Sequence, residues 1–335
     1  PASLITWKGS AQIAAWGAGT LKEGAETVIT ALPLYHVFAL SANLLYFMKL
    51  GGTNVLITNP RDIPGFVAEL AKTRYTAITG VNTLFNALLN APGFERAAGR
   101  GVLKLSVAGG MAVQRSVAER WQQATGVPLV EGYGLTEASP IVCANRFDTR
   151  EFTGKLGLPL PSAEVAILDE SGAELPVGEA GEIGVRGPQV MQGYWNAPED
   201  TARAFTPEGW LKTGDVGRMD ERGYVQFSDR SKDVIVVSGF KAFPAEIEDV
   251  VMLHPGVKEA AAVAVPDERS GEAVALFVVK KDPALTAEAL LAHCEKHLTG
   301  YKLPRRIEFR EQLPKSPIGQ ILRRELREEA ARSRG

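Results

Sequence analysis

Hydrophobic and polar positions change rhythm along the chain. Up to about residue 135, short apolar or β-branched runs (Thr27–Thr30, Asn54–Ile57, Ala77–Gly80, Leu103–Ala108, Leu129–Val130) are separated by segments with helical spacing. Those segments are an apolar stretch ending near Leu50, Pro60–Lys72 with Ile63, Phe66, Val67 and Leu70 on one face, Asn82–Leu89, and Val113–Thr125 with Val117 and Trp121 at i and i+4. Strands alternating with helices predict an α/β unit whose mostly parallel sheet is covered on both faces. A helix and a glycine-bearing loop (Gly17, Gly19, Gly24) are expected before the first strand.

From about Glu151 the texture is of short strands between Gly/Pro turns, at Lys155–Pro159, Ala163–Leu168 and Gly181–Gly187, then a short helix over Pro198–Phe205. Within Glu208–Gly239 two strands flank a turn at Asp220-Glu221-Arg222-Gly223. Beyond it the pattern predicts a compact α+β unit. Its strands are Val234–Val237, Val257–Val265, Val274–Lys280 and Ile307–Phe309. Its helices are Pro244–Leu253, Thr286–Leu298 with Thr286 as N-cap, and an amphipathic Gln320–Arg332. The expected organisation is a large α/β region over residues 1–150, a β subdomain over 151–230 and a smaller α+β domain over 231–335.

The length of 335 residues fits two or three domains at about 100–200 residues each. An apolar fraction of 45% and a net charge of −2 describe a chain that buries a sizeable core and has no overall attraction to nucleic acid or anionic lipid. Two separated cysteines, Cys143 and Cys294, imply no disulfide framework and fit a reducing cytoplasm. The run Ala31–Met48 approaches the length of a membrane span, but Pro33, His36, Ser41 and Asn43 interrupt it, so a buried helix entered from a loop is expected.

In parallel sheets ligands sit beyond the carboxyl ends of strands. Gly109-Gly110-Met111 and Glu131–Glu137 fall there. Glycines allow close backbone approach, and Tyr133, Thr136 and Glu137 offer a ring for a base, a hydroxyl for phosphate and a carboxylate for Mg²⁺. Asp215 can accept two hydrogen bonds from a vicinal diol, and Arg230 matches phosphate oxygens; the two are expected on neighbouring turns. His36 lies in an apolar loop and by itself reads as a core residue. His293 and His297 are four apart, but Cys294 stands where a zinc protease needs Glu, so a solvated helix face is expected. Arg323, Arg324 and Arg327 alternate with Glu325, Glu328 and Glu329, which predicts intrahelical pairing.

The stretch Gly209-Trp210-Leu211-Lys212-Thr213-Gly214-Asp215, followed by Asp229-Arg230-Ser231-Lys232-Asp233, resembles the signature of adenylate-forming enzymes: acyl-CoA synthetases, luciferases and peptide-synthetase adenylation domains. Within that superfamily it is most similar to bacterial long-chain fatty-acid–CoA ligases. Glu131–Glu137 resembles the same superfamily's GYGxTE motif. The resemblance implies an ATP-, Mg²⁺- and coenzyme A-dependent ligase with fatty acid, ATP and CoA as small-molecule partners and no nucleic acid. Tyr133 would stack on adenine, with Gly134 beside it and Gly109, Gly110 and Met111 lining the adenine pocket. Thr136 would meet the α-phosphate and Glu137 would bind magnesium. Asp215 would hold the ribose hydroxyls, Arg230 would contact ribose and phosphate, and Lys232 would be the hinge of a mobile C-terminal domain. Ser238, Gly239 and Lys241 would serve the thioester step. His36, in a PxxHxF pattern, would gate the carboxylate and the incoming thiol. A cytoplasmic location, with peripheral contact at the inner face of the membrane and a homodimer as further options, completes the expectation.

Two features depart from the pattern. Similar ligases carry a Ser/Thr/Gly-rich phosphate loop upstream, which this sequence lacks, so a chain truncated at its N-terminal side is expected. Where the superfamily reads P-K-[ST]-x-x-G-K-x-x-R, this chain reads Pro314-Lys315-Ser316-Pro317-Ile318-Gly319-Gln320-Ile321-Leu322-Arg323. Gln320 occupies the position of the adenylation lysine, keeping a donor and losing a charge. A medium-chain or aryl-CoA ligase, and a silent AMP- or acyl-CoA-binding protein, are the alternatives.

Overall fold

The computed structural model describes residues 8–332 apart from 18, 100, 317 and 318. It divides into two compact units, Pro1–Phe227 and Ser228–Gly335.

In the first unit, α1 (Lys8–Trp16) precedes β1 (Thr27–Thr30). A π-helical stretch, Ala39–Leu45, continues into α2 (Tyr46–Leu50). Then come β2 (Thr53–Leu56), α3 (Ile63–Lys72), β3 (Ala77–Gly80), α4 (Asn82–Leu89), α5 (Phe94–Ala97), β4 (Leu105–Gly109), α6 (Arg115–Thr125), β5 (Leu129–Gly134), β6 (Ile141–Ala144) and β7 (Leu158–Pro159). The sheet order is β2-β1-β3-β4-β5-β6-β7; the strands from β2 to β5 pair in parallel, and β6 and β7 join antiparallel.

Alternate residues of the strands feed two cores. Ile29, Ile78 and Leu129 pack with Phe66, Leu88 and Trp121 of α3, α4 and α6. Val28, Ala77, Leu105 and Val130 pack with Ile13 of α1 and with Tyr46 and Phe47 of α2. Period-two alternation with both faces buried is what a covered parallel sheet requires. Asn43, in the π-helical stretch, is held over this sheet by polar contacts. Its amide donates to Thr30 Oγ1 at 2.8 Å and accepts from Thr79 Oγ1 at 3.0 Å. Among the described residues no helix is long and apolar enough to cross a membrane.

A second, antiparallel sheet follows, ordered β11-β10-β9-β8, from β8 (Glu164–Leu168), β9 (Ala180–Arg186), β10 (Leu211–Met219) and β11 (Val225–Arg230), with α7 (Pro198–Ala204) between β9 and β10. The chain leaves the first unit within β11.

The second unit holds β12 (Ile235–Val237), β13 (Phe240–Ala242), α8 (Pro244–Met252), β14 (Val257–Asp267), β15 (Gly271–Lys280), α9 (Ala287–Glu295), β16 (Arg306–Arg310) and α10 (Arg323–Arg332). β14 and β15 form a long antiparallel pair, and β16 lies parallel to β15. One face buries Ala260, Ala262 and Leu276 under Ile247 and Val251 of α8 and Leu290 of α9; the other buries Ala261, Val263 and Phe277 under Leu326 and Ala330 of α10. Thr286 caps α9, accepting from the Ala289 N–H at 3.2 Å.

Some expectations are corrected. The run Ala31–Met48 is a helix entered from a loop, as expected, but its central part, Ala39–Leu45, is π-helical, which the spacing did not show. Glu131–Gly134 belongs to β5 rather than to a loop, because Tyr133 pairs with Cys143 of β6, a strand with too little alternation to be read from sequence. Of the terminal arginines Arg323, Arg324 and Arg327, only Arg324 pairs as expected, with Glu328; Arg323 and Arg327 turn into the unit, where buried carboxylates outcompete solvated neighbours. His293 is also not merely solvated, since its Nε2 bonds to Val250 O at 2.9 Å.

Candidate functional site

In the first unit three chain segments meet at the carboxyl ends of β4 and β5. A Cβ added at Gly109 would lie 2.9 Å from Gly132 O and 3.2 Å from the Phe38 ring, so only glycine lets Phe38 close over this strand end. Phe38 N–H donates to Nδ1 of His36 at 3.3 Å, which places the proton of the neutral ring on Nε2. Burial lowers the His36 pKa below its ordinary value and keeps that ring neutral. The His36 loop and Gly109 are thus brought together through Phe38. Gly110 adopts φ +76°, a left-handed conformation suited to glycine, and Met111 packs half-buried on the sheet core.

At Gly134, beside the register shift between β5 and β6, the Pro140 carbonyl approaches so closely that an added Cβ would clash with it. Beyond it Thr136 is exposed and Glu137 half-buried. The Glu137 carboxylate accepts a hydrogen bond from Tyr194 Oη at 2.9 Å, and its carbonyl accepts from the Met191 N–H at 2.7 Å. Burial and that carboxylate push the Tyr194 phenol up to about 12. Tyr194 was not among the expected site residues; Gly193 before it, with Thr201 Oγ1 holding the Tyr194 N–H at 2.9 Å, is the local signal.

Asp215 sits on no turn, contrary to expectation, but within β10 at a bulge between Lys212 and Val216. Gly214 supplies φ +74°, and its N–H donates to Glu182 Oε1 at 2.8 Å. The bulge re-aims Asp215 toward β5. There Tyr133 Oη donates to Asp215 Oδ2 at 2.7 Å. Burial and the adjacent Asp215 carboxylate push the Tyr133 phenol well above its ordinary pKa, so the tyrosine remains a donor. A carboxylate steadied by a phenol at a glycine-rich strand end is arranged to accept from neighbouring hydroxyls.

The second unit carries the other candidates. Arg230 ends β11, and Lys232 is exposed at the tip of a turn in which the Asp233 N–H donates to Arg230 O at 2.9 Å. Ser238 and Gly239, at φ +51° and +85°, make the two-residue turn between β12 and β13, and Lys241 is exposed on β13. Gln320 is half-buried; its N–H donates to Ser316 Oγ at 3.2 Å and its carbonyl accepts from the Ser316 N–H at 2.8 Å. Among the described residues no group of His, Cys, Asp and Glu is arranged to hold a metal by itself.

Two family models match parts of the chain. One, for AMP-binding enzymes, matches residues 5–195; the other, for the AMP-binding enzyme C-terminal domain, matches residues 246–320.

The chain belongs to the AMP-binding enzyme family.

This AMP-binding chain is 59% identical over 310 residues to a protein of Salmonella typhimurium named long-chain-fatty-acid–CoA ligase, covering 92% of the chain and 55% of that protein. It is 36% identical over 304 residues to a feruloyl-CoA synthase of Amycolatopsis, covering 90% of the chain and 61% of that protein. Among solved structures, ATP-bound MatB from Rhodopseudomonas palustris is similar at a TM-score of 0.87 and 30% identity, over 96% of this chain and 63% of that one. The fold is therefore that of adenylate-forming enzymes. The chain spans about half the length of the curated relatives it matches.

Proposed function

We propose that this AMP-binding chain serves a long-chain fatty-acid–CoA ligase, which converts ATP, fatty acid and CoA to acyl-CoA, AMP and pyrophosphate. The Tyr133–Asp215 hydrogen bond carries the reading, because it fixes a carboxylate where a ribose diol can donate to it. The 59% identity to a ligase of that name supports the acyl class.

In the first step the fatty carboxylate attacks the α-phosphorus of ATP and pyrophosphate departs. Asp215 accepts from the ribose hydroxyls, Tyr133, Gly109, Gly110, Met111 and Gly134 border the adenine, and exposed Thr136 donates to the α-phosphate. Magnesium usually keeps several waters and takes one or two carboxylates plus phosphate oxygens, so the single Glu137 fits it without a protein cage. When bound, the ion supplies charge that offsets the phosphate oxygens. Tyr194 orients the Glu137 carboxylate toward that role. Gln320 donates a neutral hydrogen bond where the superfamily places a lysine, and Arg230 adds positive charge on the phosphate side.

In the second step the thiolate of CoA attacks the acyl carbon and AMP leaves. The second unit turns about Lys232 between the steps, presenting the Ser238-Gly239 turn and Lys241. Neutral His36 and Phe38 border the path of carboxylate and thiol. The reading extends to a cytoplasmic enzyme that touches the inner face of a membrane, since its acyl substrate dissolves in lipid, and to a homodimer. Vesicle co-sedimentation and sedimentation velocity test these two extensions.

Gln320 favours one second reading, a chain that binds AMP or acyl-CoA without turnover. Pyrophosphate exchange into ATP by the native full-length protein decides between them. Exchange that depends on a long-chain acid supports the ligase, and AMP binding without exchange supports the silent binder.

A further inference from the structure

The turn after β3 is fastened to the turn after β4 by one pair of carboxamides. Asn82, the first residue of α4, is buried, and Gln114, at the N-cap position of α6, is half-buried. The Gln114 N–H donates to Asn82 Oδ1 at 3.0 Å, and Asn82 Nδ2 donates to Gln114 Oε1 at 2.9 Å. A backbone N–H can only donate, so it fixes which atom of the Asn82 amide is the oxygen. That in turn makes the facing atom of the Gln114 amide the acceptor. The two bonds join the same two residues across 32 positions of sequence and close a ring, which restrains orientation as well as distance.

Between Gly109, the last residue of β4, and Gln114 lie Gly110, Met111, Ala112 and Val113. This short turn holds the residues proposed to border adenine. One end is set by the sheet, where Gly109 pairs with Gly132 of β5. The other end is set by Asn82.

The rest of the contact between α4 and α6 does not need this pair. Phe85 meets Trp121 edge to face at 4.6 Å, and Arg120 donates to the Leu89 carbonyl at 3.2 Å and to Asn90 Oδ1 at 3.0 Å. A buried amide pair adds little net stability, because its groups give up hydrogen bonds to water to make it. Fully satisfied, it adds a fixed local geometry.

We infer that Asn82 is a positioning residue: through Gln114 it holds the Gly109–Gln114 turn in the shape that receives the adenine base. The role in nucleotide binding rests on the ligase reading; the clip itself does not. With the clip made, the turn is ordered before the nucleotide arrives. Without it, binding must supply that ordering, and the cost falls on the base rather than on ribose or phosphate.

The test compares wild type, Asn82→Leu and Gln114→Glu in the native full-length protein. Asn82→Leu nearly keeps the volume and removes both bonds. Gln114→Glu keeps both, since its carboxylate still accepts from Asn82. Hydrogen exchange is read by NMR at the amide of residue 114, with the amides of β3 and β4 as controls. Affinity is read for AMP by calorimetry and for ribose 5-phosphate, which lacks the base, by NMR titration. In Asn82→Leu, exchange at residue 114 should rise by about tenfold, the upper end of what one hydrogen bond is worth, with the controls unchanged. AMP affinity should fall by about the same factor, with ribose 5-phosphate affinity unmoved. Gln114→Glu should match wild type in all three readouts. Unchanged exchange at residue 114 overturns the clip. Equal losses for the two ligands, faster exchange in β3 and β4 as well, or a Gln114→Glu variant as impaired as Asn82→Leu each overturn the positioning role and leave a packing contact. If the wild type binds ribose 5-phosphate as tightly as AMP, the adenine reading and the positioning role fail together, and the exchange result still decides whether Asn82 holds Gln114.

Discussion

Tyr133 donates its phenolic hydroxyl to Asp215 at 2.7 Å, across 82 positions of sequence. One residue sits at the end of a parallel strand and the other at a bulge of the antiparallel sheet, so the contact ties the first unit's two sheets at the candidate nucleotide site. Tyr133→Phe removes the donor and leaves the ring. AMP affinity should drop by about tenfold, the lower end of what a hydrogen bond to a charged group is worth. Calorimetry on Tyr133→Phe, Asp215→Asn and the double variant should show strong non-additivity. Additive losses would mean that the two residues act separately.

Tyr194 plays a comparable part for Glu137. Outer partners of a metal-binding carboxylate typically contribute about 10–100-fold in metal affinity. Tyr194→Phe should therefore raise the Mg²⁺ concentration needed for half-maximal pyrophosphate exchange by about tenfold, with the AMP affinity measured without metal unchanged. An equal loss in both would place Tyr194 in the scaffold only.

His36 makes a pH prediction with a definite sign. Burial lowers its folded-state pKa below the ordinary value of 6.5. Between those two values the unfolded chain binds more protons than the folded one, so stability falls as pH drops from 6.5 toward the folded pKa and levels off below it. Above 6.5 the contribution is fully present. His36→Gln should flatten that part of the stability profile. Ring titration by NMR reads the pKa directly, and a midpoint above 6.5 would contradict the burial argument.

Much of the frame was legible in the residues. β3 and α4 fall where the local pattern put them, at Ala77–Gly80 and Asn82–Leu89, because turn residues bound each and its buried face is continuous. The paired strands β14 and β15 were equally plain, since their central positions form buried apolar runs. What escaped is decided by distant partners. The Tyr194–Glu137 contact spans 57 positions, and Arg327 meets Asp233 across 94. The Asn43 network, which accompanies the π-helical stretch, joins three strands that local spacing cannot relate. The candidate residues themselves were read through a family resemblance; spacing alone supplied only their residue types.

Gln320 offers a change of opposite direction. A positive charge that stabilises the transition state contributes about 10²–10³-fold in rate. Gln320→Lys should raise pyrophosphate exchange by that order and leave CoA transfer from a preformed acyl-adenylate unchanged. No gain would remove the account of Gln320 as a weakened adenylation donor.

The most direct test of the ligase account is pyrophosphate exchange into ATP by the native full-length protein, with a long-chain fatty acid, with an aromatic acid and with no acid. The account predicts exchange that requires the long-chain acid, yields acyl-CoA and AMP when CoA is added, and is lost in Asp215→Ala. AMP binding without exchange for any acid, in both the wild type and Gln320→Lys, would contradict it.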